Sequence, residues 1–275
     1  MTKLYNSSIS NRNLRYSKET EKDLSNSTRK LASGSRINKA SDDAAGLSIA
    51  TNLNSQIRSK GQALRNANDG FSILQIMDGS LSELTNIVIR LRELSIGAAS
   101  DTYDNTDRTL MNYEANHLLT EVDRIAKSTN YMNRDLFSGD DYKLDIQVDS
   151  GQGKKNRLTL DLTRQAQTTT ALGISDVQVN TQHRARLALV KLDYALNELS
   201  KSRADIGAME NRLKSTIENL SVNIQNSESS HSKIKDVDYA KETATQVKAK
   251  LINHGQTMVR AQINESGKMY LKLLE

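Results

Sequence analysis

The side chains that could do chemistry are few and scattered. Histidines stand at 117, 183, 231 and 254. No two of them share a helical turn or an HExxH-like spacing, so no zinc-type ligand set is encoded and solvated or interhelical roles fit them better. Asp42-Asp43 and Asp236-x-Asp238 could act as paired acids, but each pair sits at the expected start of a helix, where capping and the helix dipole already account for carboxylates. The Gly151-Gln-Gly153 stretch invites comparison with a phosphate loop. No helix is expected after it, and a hairpin turn is the better reading. The chain has no cysteine, which excludes thiolate nucleophiles, thiolate metal sites and disulfides. No catalytic, cofactor-binding or metal-binding constellation emerges, and an enzyme is not expected.

Composition points the same way. The 275 residues are 36% hydrophobic, with two Phe, no Trp and no Pro, and 26% are charged. Such a chain favours long uninterrupted helices with thin apolar stripes. The net charge is +5, but acids and bases interleave along each helix, as in Arg90-Leu91-Arg92-Glu93 and Lys233-Ile234-Lys235-Asp236. A nucleic-acid binder more often shows a one-sided basic stripe with stacking aromatics. No run approaches the roughly 20 apolar residues of a membrane span. The first residues lack the charged-then-apolar pattern of a cleavable signal, so export, if it occurs, is expected without a cleaved leader.

The elements that must carry function are therefore helices. The dominant stretch runs from Ser33 to Ile96. From Leu64 the apolar positions Ala67, Phe71, Leu74, Met77, Leu81, Leu84, Val88, Leu91 and Leu94 recur every three or four residues, a seam that demands partner helices. Ser41 is expected to cap this helix, with Asp42 and Asp43 in its first turn and Gly34 and Gly46 bracketing the approach. Its length would be about 80 Å at 1.5 Å per residue. Before it, residues 1–33 read as a sparsely apolar helix with Tyr5, Ile9, Tyr16, Leu24 and Leu31 as anchors, ordered only against something else.

After Gly97, a polar turn from Ala98 to Thr106 should lead into a second helix, capped by Thr106 and carrying Met111, Ala115, Leu118, Val122 and Ile125, folded back antiparallel. Residues of about 142–162 alternate (YKLDIQV, RLTLDL) and predict a β-hairpin, the only β signal. The Gln165–Thr170 run reads as an exposed connection. From about Arg184 a helix returns with Leu187, Val190, Tyr194, Leu199, Ile206, Met209, Leu213, Ile217, Leu220 and Ile224 as its stripe. Polar residues 225–231 should break it. The last helix sets Val237, Ala240, Ala244, Val247, Leu251, Met258 and Ala261 on one face, and the two chain ends should pair. The fold class is mainly α: a long antiparallel helical rod or coiled-coil bundle with one small β-hairpin and paired terminal helices. Physical reading alone leaves two outcomes open, an antiparallel coiled-coil monomer or dimer, and a rod that buries its surplus apolar surface in an open-ended polymer.

Several motifs then resemble one family. Leu31–Asn38 (LASGSRIN), Asp42–Gly46 (DDAAG), Arg65–Gly70 (RNANDG) and Arg90–Leu94 (RLREL) are similar to the amino-terminal signature of bacterial flagellin; Ala204–Arg212 (ADIGAMENR) and Ser232–Ala240 (SKIKDVDYA) resemble its carboxy-terminal one. The likeness covers roughly residues 20–135 and 185–265. It implies a structural subunit that self-polymerises into the flagellar filament, the helical propeller of swimming cells. It implies an inner coiled-coil domain (1–33 and 236–275), spoke linkers (34–46 and 225–235) and a rod domain (47–224). Only about fifty residues separate the helical halves, as in a minimal flagellin without large outer domains.

The resemblance also implies residues and partners. Arg36, Asn38, Asp42, Asp43, Arg65, Asn68, Asp69, Arg92, Glu93, Asn211 and Arg212 carry the spoke and rod signature. Leu24, Leu31, Val237, Ala240, Ala244, Val247 and Leu251 are the inner-domain packing positions. Arg90, Leu94 and Glu114 match the rod face that contacts other subunits and is read by the vertebrate Toll-like flagellin receptor. Partners would be further copies of the chain, the flagellar cap and hook-junction proteins, and an export chaperone, with type III export to an extracellular filament, sheathed or bare. No cofactor, nucleic acid or membrane insertion is implied. The ends depart from the family pattern at Arg12, Arg15, Tyr16, Arg260, Lys268 and Tyr270, where neutral or apolar residues are usual. Alternatives are a hook–filament junction protein and a non-polymerising helical adaptor.

Overall fold

The computed structural model describes residues 2–137, 139, 143–149, 151, 153–161 and 165–272. Tyr142, Leu162 and Leu273–Glu275 lie outside them, as do the side chains of Tyr5, Ile9, Lys268 and Tyr270. Among the described residues the order is α1 (Thr2–Ser33), α2 (Ala44–Ala99), α3 (Asn105–Ser128), β1 (Asn130–Tyr131), β2 (Arg134–Asp135), β3 (Lys143–Gln147), β4 (Arg157–Asp161), α4 (Gln182–Lys235) and α5 (Tyr239–Lys272). The protein is mainly α, as its composition demanded. It divides into two compact units, one of residues 1–56 with 226–275 and one of residues 57–225.

The 57–225 unit is built on the α2 seam. Ala67, Leu74, Met77, Leu81, Leu84, Val88, Leu91 and Leu94 are all buried, with Phe71 packed against them. They meet Ala115, Leu119, Val122 and Ala126 of α3 and Leu192, Leu199, Ile206 and Leu213 of α4 in one core. α4 differs from its expected stripe in its first turns. Leu187, Val190 and Tyr194 are exposed, while Ala185, Ala188, Leu192 and Ala195 face inward. Small side chains let helices approach closely, and that face wins over the bulkier one.

The helix ends also correct the sequence reading. α2 runs on through Gly97 to Ala99, and α3 is capped by Asp104, not Thr106: the Asp104 carboxylate accepts from the N–H groups of Thr106 and Asp107, and Asp107 returns the favour at the cap N–H. The C-terminus of α2 is closed by a residue that sequence reasoning passed over. Buried Arg108 donates Nε to the Ala98 carbonyl at 2.9 Å, Nη2 to the Ser100 carbonyl at 2.8 Å and Nη1 to Asn105 at 3.2 Å. A guanidinium is the one side chain able to satisfy several orphan carbonyls from a fixed fork. α4 is unbroken through residues 225–231 and ends at Lys235. Its exposed polar residues do not interrupt a helix that lacks Gly and Pro there.

Among the described residues there are two small antiparallel ladders. The expected hairpin pairs β3 with β4 from Lys143↔Asp161 to Gln147↔Arg157. It docks by burying Ile146 where only a glycine leaves room, since a Cβ on Gly70 of α2 would sit 2.3 Å from the Ile146 methyl. The second ladder, Asn130↔Asp135 and Tyr131↔Arg134, was not expected. Met132 and Asn133 turn it with φ of 48° and 65°, a primed turn without the glycine that usually announces one. The Gln165–Thr170 run is not an exposed connection: Gln165, Gln167 and Thr169 are buried. Gln167 donates to Ser202 at 2.8 Å, and the Asp123 carboxylate accepts from the Thr169 N–H at 2.9 Å and hydroxyl at 3.0 Å. Leu172, Ile174, Val177 and Val179 follow into the core.

In the other unit the chain ends pair: α1 packs on α5. The seam is largely polar, with Ser17, Ser27 and Ala249 buried. Gln246 donates to Thr28 at 3.0 Å, Gln256 to Thr20 at 3.3 Å, and the Ser27 hydroxyl to Glu242. A short ladder joins the segments flanking these helices: Arg36 N–H reaches the Lys235 carbonyl at 2.6 Å, and Val237 N–H reaches the carbonyl of Gly34, whose φ is 67°.

Removing the Arg108 fork should destabilise the 57–225 unit. Arg108→Ala is expected to cost about 3 kcal/mol in urea unfolding, the range for buried hydrogen bonds to a charged group, with Arg108→Lys recovering only part; a loss within experimental error would remove Arg108 from this role.

Candidate functional site

Among the described residues no group of three or more His, Asp or Glu is placed to hold a metal ion, and no helix is long and apolar enough to cross a membrane. The candidate functional features are surfaces. They start with the segment between α1 and α2. Asp42 Oδ2 accepts from the N–H groups of Asn38 and Lys39 at 3.0 and 2.9 Å, and Asn38 donates its side chain to the Ser35 carbonyl at 3.1 Å. Asp43 Oδ1 accepts from Gly46 N–H at 2.8 Å, so Asp43, and not Ser41, caps α2. Arg36 donates Nη2 to the Ile234 carbonyl at 2.5 Å. The four signature residues thus act as one backbone-fixing set at the turn from α1 into α2. The backbone N–H groups of Lys39 and Asn38 hold the Asp42 carboxyl below the usual carboxylate range.

A second set lies on α2 and α3. Arg90 is bridged to Glu114 at 2.9 Å and to Glu93 at 3.1 Å, all three about half exposed. Glu114, then Glu93, raises the Arg90 pKa further above the ordinary arginine value. Leu94 is only 7% exposed and belongs to the core. The structure therefore brings Arg90, Glu93 and Glu114 into one surface cluster and withdraws Leu94 behind it. Arg92 turns the other way and pairs with Asp193 of α4 at 2.7 Å. Arg65 donates to Gln62, Asn68 to the Leu64 carbonyl, and Asp69 is exposed. Asn211 and Arg212 are exposed on α4, Arg212 lying 3.6 Å from the Met209 sulfur.

The inner-domain residues divide by face. Leu24 and Leu31 of α1, and Val237 just before α5, are half-buried. Ala240, Ala244, Val247 and Leu251 are not packed against α1; they are exposed, Leu251 by 67%, and with Ile252 they line an open apolar groove of about 630 Å³. The reason is the partner's composition. α1 offers hydroxyls more than large apolar side chains, so it matches α5 through its Gln and Glu face, and directional hydrogen bonds set the register. The apolar stripe is left over.

The amino-terminal helical region of bacterial flagellin matches residues 5–141, and the carboxy-terminal helical region matches residues 189–274. The chain belongs to the bacterial flagellin family. It is 36% identical to a flagellin of Halalkalibacterium halodurans, with 89% of each chain covered, and 34% identical to a flagellin of Treponema pallidum, covering 89% of this chain and 90% of that one. The crystal structure of Bacillus cereus flagellin aligns with a TM-score of 0.50 at 27% identity, covering 57% of this chain and 88% of that one. A hook-associated protein from Vibrio parahaemolyticus, at 15% identity and TM-score 0.58, shares the fold. The protein is a structural filament subunit and not an enzyme.

Two outcomes follow from this geometry. Asp42 has a depressed folded-state pKa, so its contribution is present above the unfolded value and is lost as pH falls through the folded one. Asp42→Asn should accordingly lower the melting temperature at pH 7 and leave it little changed from the parent below the carboxylate range, read by circular dichroism. Arg90→Ala should leave stability unchanged within experimental error, because exposed ion pairs are screened; a clear loss in urea unfolding would make the cluster structural.

Proposed function

We propose that the chain polymerises with copies of itself into the flagellar filament, through paired terminal helices whose outer apolar stripe only another subunit covers. The observation that carries this is the exposed row Ala240, Ala244, Val247 and Leu251 on a helix whose other face is already occupied by α1. A contiguous apolar face of this kind marks an interaction surface. Contacts of one face with a different face on the next copy do not close, and they propagate as a helix. In this reading residues 1–33 and 236–275 form the inner domain around the channel, 34–46 and 225–235 the spokes, and 47–224 the rod that forms the filament's outer surface.

The finer partners follow the family. The subunit leaves the cell through the flagellar type III apparatus, its carboxy-terminal helix held by an export chaperone until then, and assembles beneath the cap onto the hook-junction proteins. The finished filament is extracellular, bare or sheathed. On free subunits the Toll-like receptor of vertebrates would meet Arg90 and Glu114, with Leu94 as the packed residue that positions them. A hook–filament junction role is not favoured, since flagellins and a filament core protein match this chain over about 90% of their own length.

Deletion of residues 236–275 tests the reading. The truncated chain should form no filaments in sedimentation and electron microscopy, yet keep the helical signal and cooperative unfolding of the 57–225 unit; filaments of normal yield from it would refute the proposal.

A further inference from the structure

The 57–225 unit carries clustered basic side chains towards one end and clustered acidic side chains at the other. Near the start of its α2 segment a groove of about 680 Å³ opens between α2, the β3–β4 hairpin and α4. Lys60 comes from α2, Lys155 and Arg157 from the hairpin region, and Arg212 from α4. Asp149 is the acidic lining residue among those described. Arg157 lies 3.9 Å from Asp145, but Lys60, Lys155 and Arg212 form no ion pair among the described residues. Amide and hydroxyl side chains such as Asn211 and Ser215 complete the wall. This is the chemistry that takes up carboxylates: several cations beside neutral donors.

At the far end of α2 the turn into α3 is its complement. Asp101, Asp104 and Asp107 are all exposed. Asp101 accepts from Gln182 at 2.7 Å, and Asp104 and Asp107 form the capping box, so none is paired with a cation among the described residues. Arg108, next in sequence, is buried and committed to the α2 carbonyls. From Lys60 to the end of α2 the helix rises about 60 Å at 1.5 Å per residue. Basic groove and acidic tip therefore cannot meet within one chain.

We propose that the acidic α2–α3 turn of one copy seats in the basic groove of the next. The contact is head to tail, so it repeats without closing. It deepens the self-assembly reading and rests on it. Charges that stay apart by more than about 8 Å are screened at physiological salt, so the attraction acts only when the tip enters the groove. Complementary ends then select register, and like ends repel.

The absence of cysteine makes the test clean. The full chain carrying Thr102→Cys on the tip and Ser215→Cys on the groove wall keeps every charge. It is seeded with fragments of parent filaments and treated with a short bis-maleimide. The expected result is a ladder of covalent multimers, absent from either single variant. Adding Lys155→Glu and Arg212→Glu should abolish the ladder and raise the critical concentration for assembly at least tenfold, and further adding Asp101→Lys should recover part of that loss. Filaments of the double-cysteine chain that yield no ladder would overturn the proposal and leave the groove to another anionic partner. A parent chain that forms no filaments under seeding would instead overturn the self-assembly reading, and this contact with it.

Discussion

Everything in the 57–225 unit depends on the apolar seam of α2. A helix of this length gains little from propensity alone, and its order comes from burying one face. The seam from Ala67 to Leu94 does so against α3, α4 and the 165–180 segment. Each neighbour is then tied by a local device: the Arg108 fork closes the α2–α3 corner, Gly70 admits Ile146 of the hairpin, and Asp123 fixes Thr169. These devices are polar or steric and sit at the rim. They decide register, while the seam supplies the driving force.

The other unit is built on the opposite balance. Its helices meet through hydroxyls, amides and a carboxylate, while Val247, Leu251 and Ile252 of α5 lie exposed on the face left over. Hydrogen bonds exchanged for water contribute modestly, about 1 kcal/mol each, against an ordering cost of roughly 1 to 2 kcal/mol per residue. Such a pair is set in register by its own contacts and needs further burial to be firmly held. That asymmetry suits the proposed assembly: one unit carries its own buried core, and the other leaves an apolar face for neighbouring copies.

Much of this was legible in the sequence because long helices in a chain without proline leave a clear period. The α2 seam and the hairpin were readable from spacing, and the pairing of the ends from the mirrored order of elements along the chain. What escaped was set by packing geometry. On α4 the bulky Leu187, Val190 and Tyr194 suggested the buried face, but close approach selected Ala185, Ala188 and Ala195. The Gln- and Thr-rich run looked solvated because its partners, Ser202 and Asp123, are distant in sequence. Arg108 carried no signal, since one more arginine in a highly charged chain is unremarked until the corner it closes is known. On α5 the apolar stripe was visible, but which face α1 would take was not; that depended on the hydroxyls of α1. The capping aspartates, Asp43 and Asp104, each lie two residues from the Ser41 and Thr106 that the sequence suggests, within the usual uncertainty of helix boundaries.

The most direct measurement of the central claim is seeded assembly of the purified chain, followed at once by electron microscopy and far-ultraviolet circular dichroism. Long tubes should grow from the seeds, with helical signal rising as the terminal helices gain cover from neighbouring subunits. A chain that stays monomeric with its full helical content already present would contradict it, because the ends would then be complete without copies of themselves.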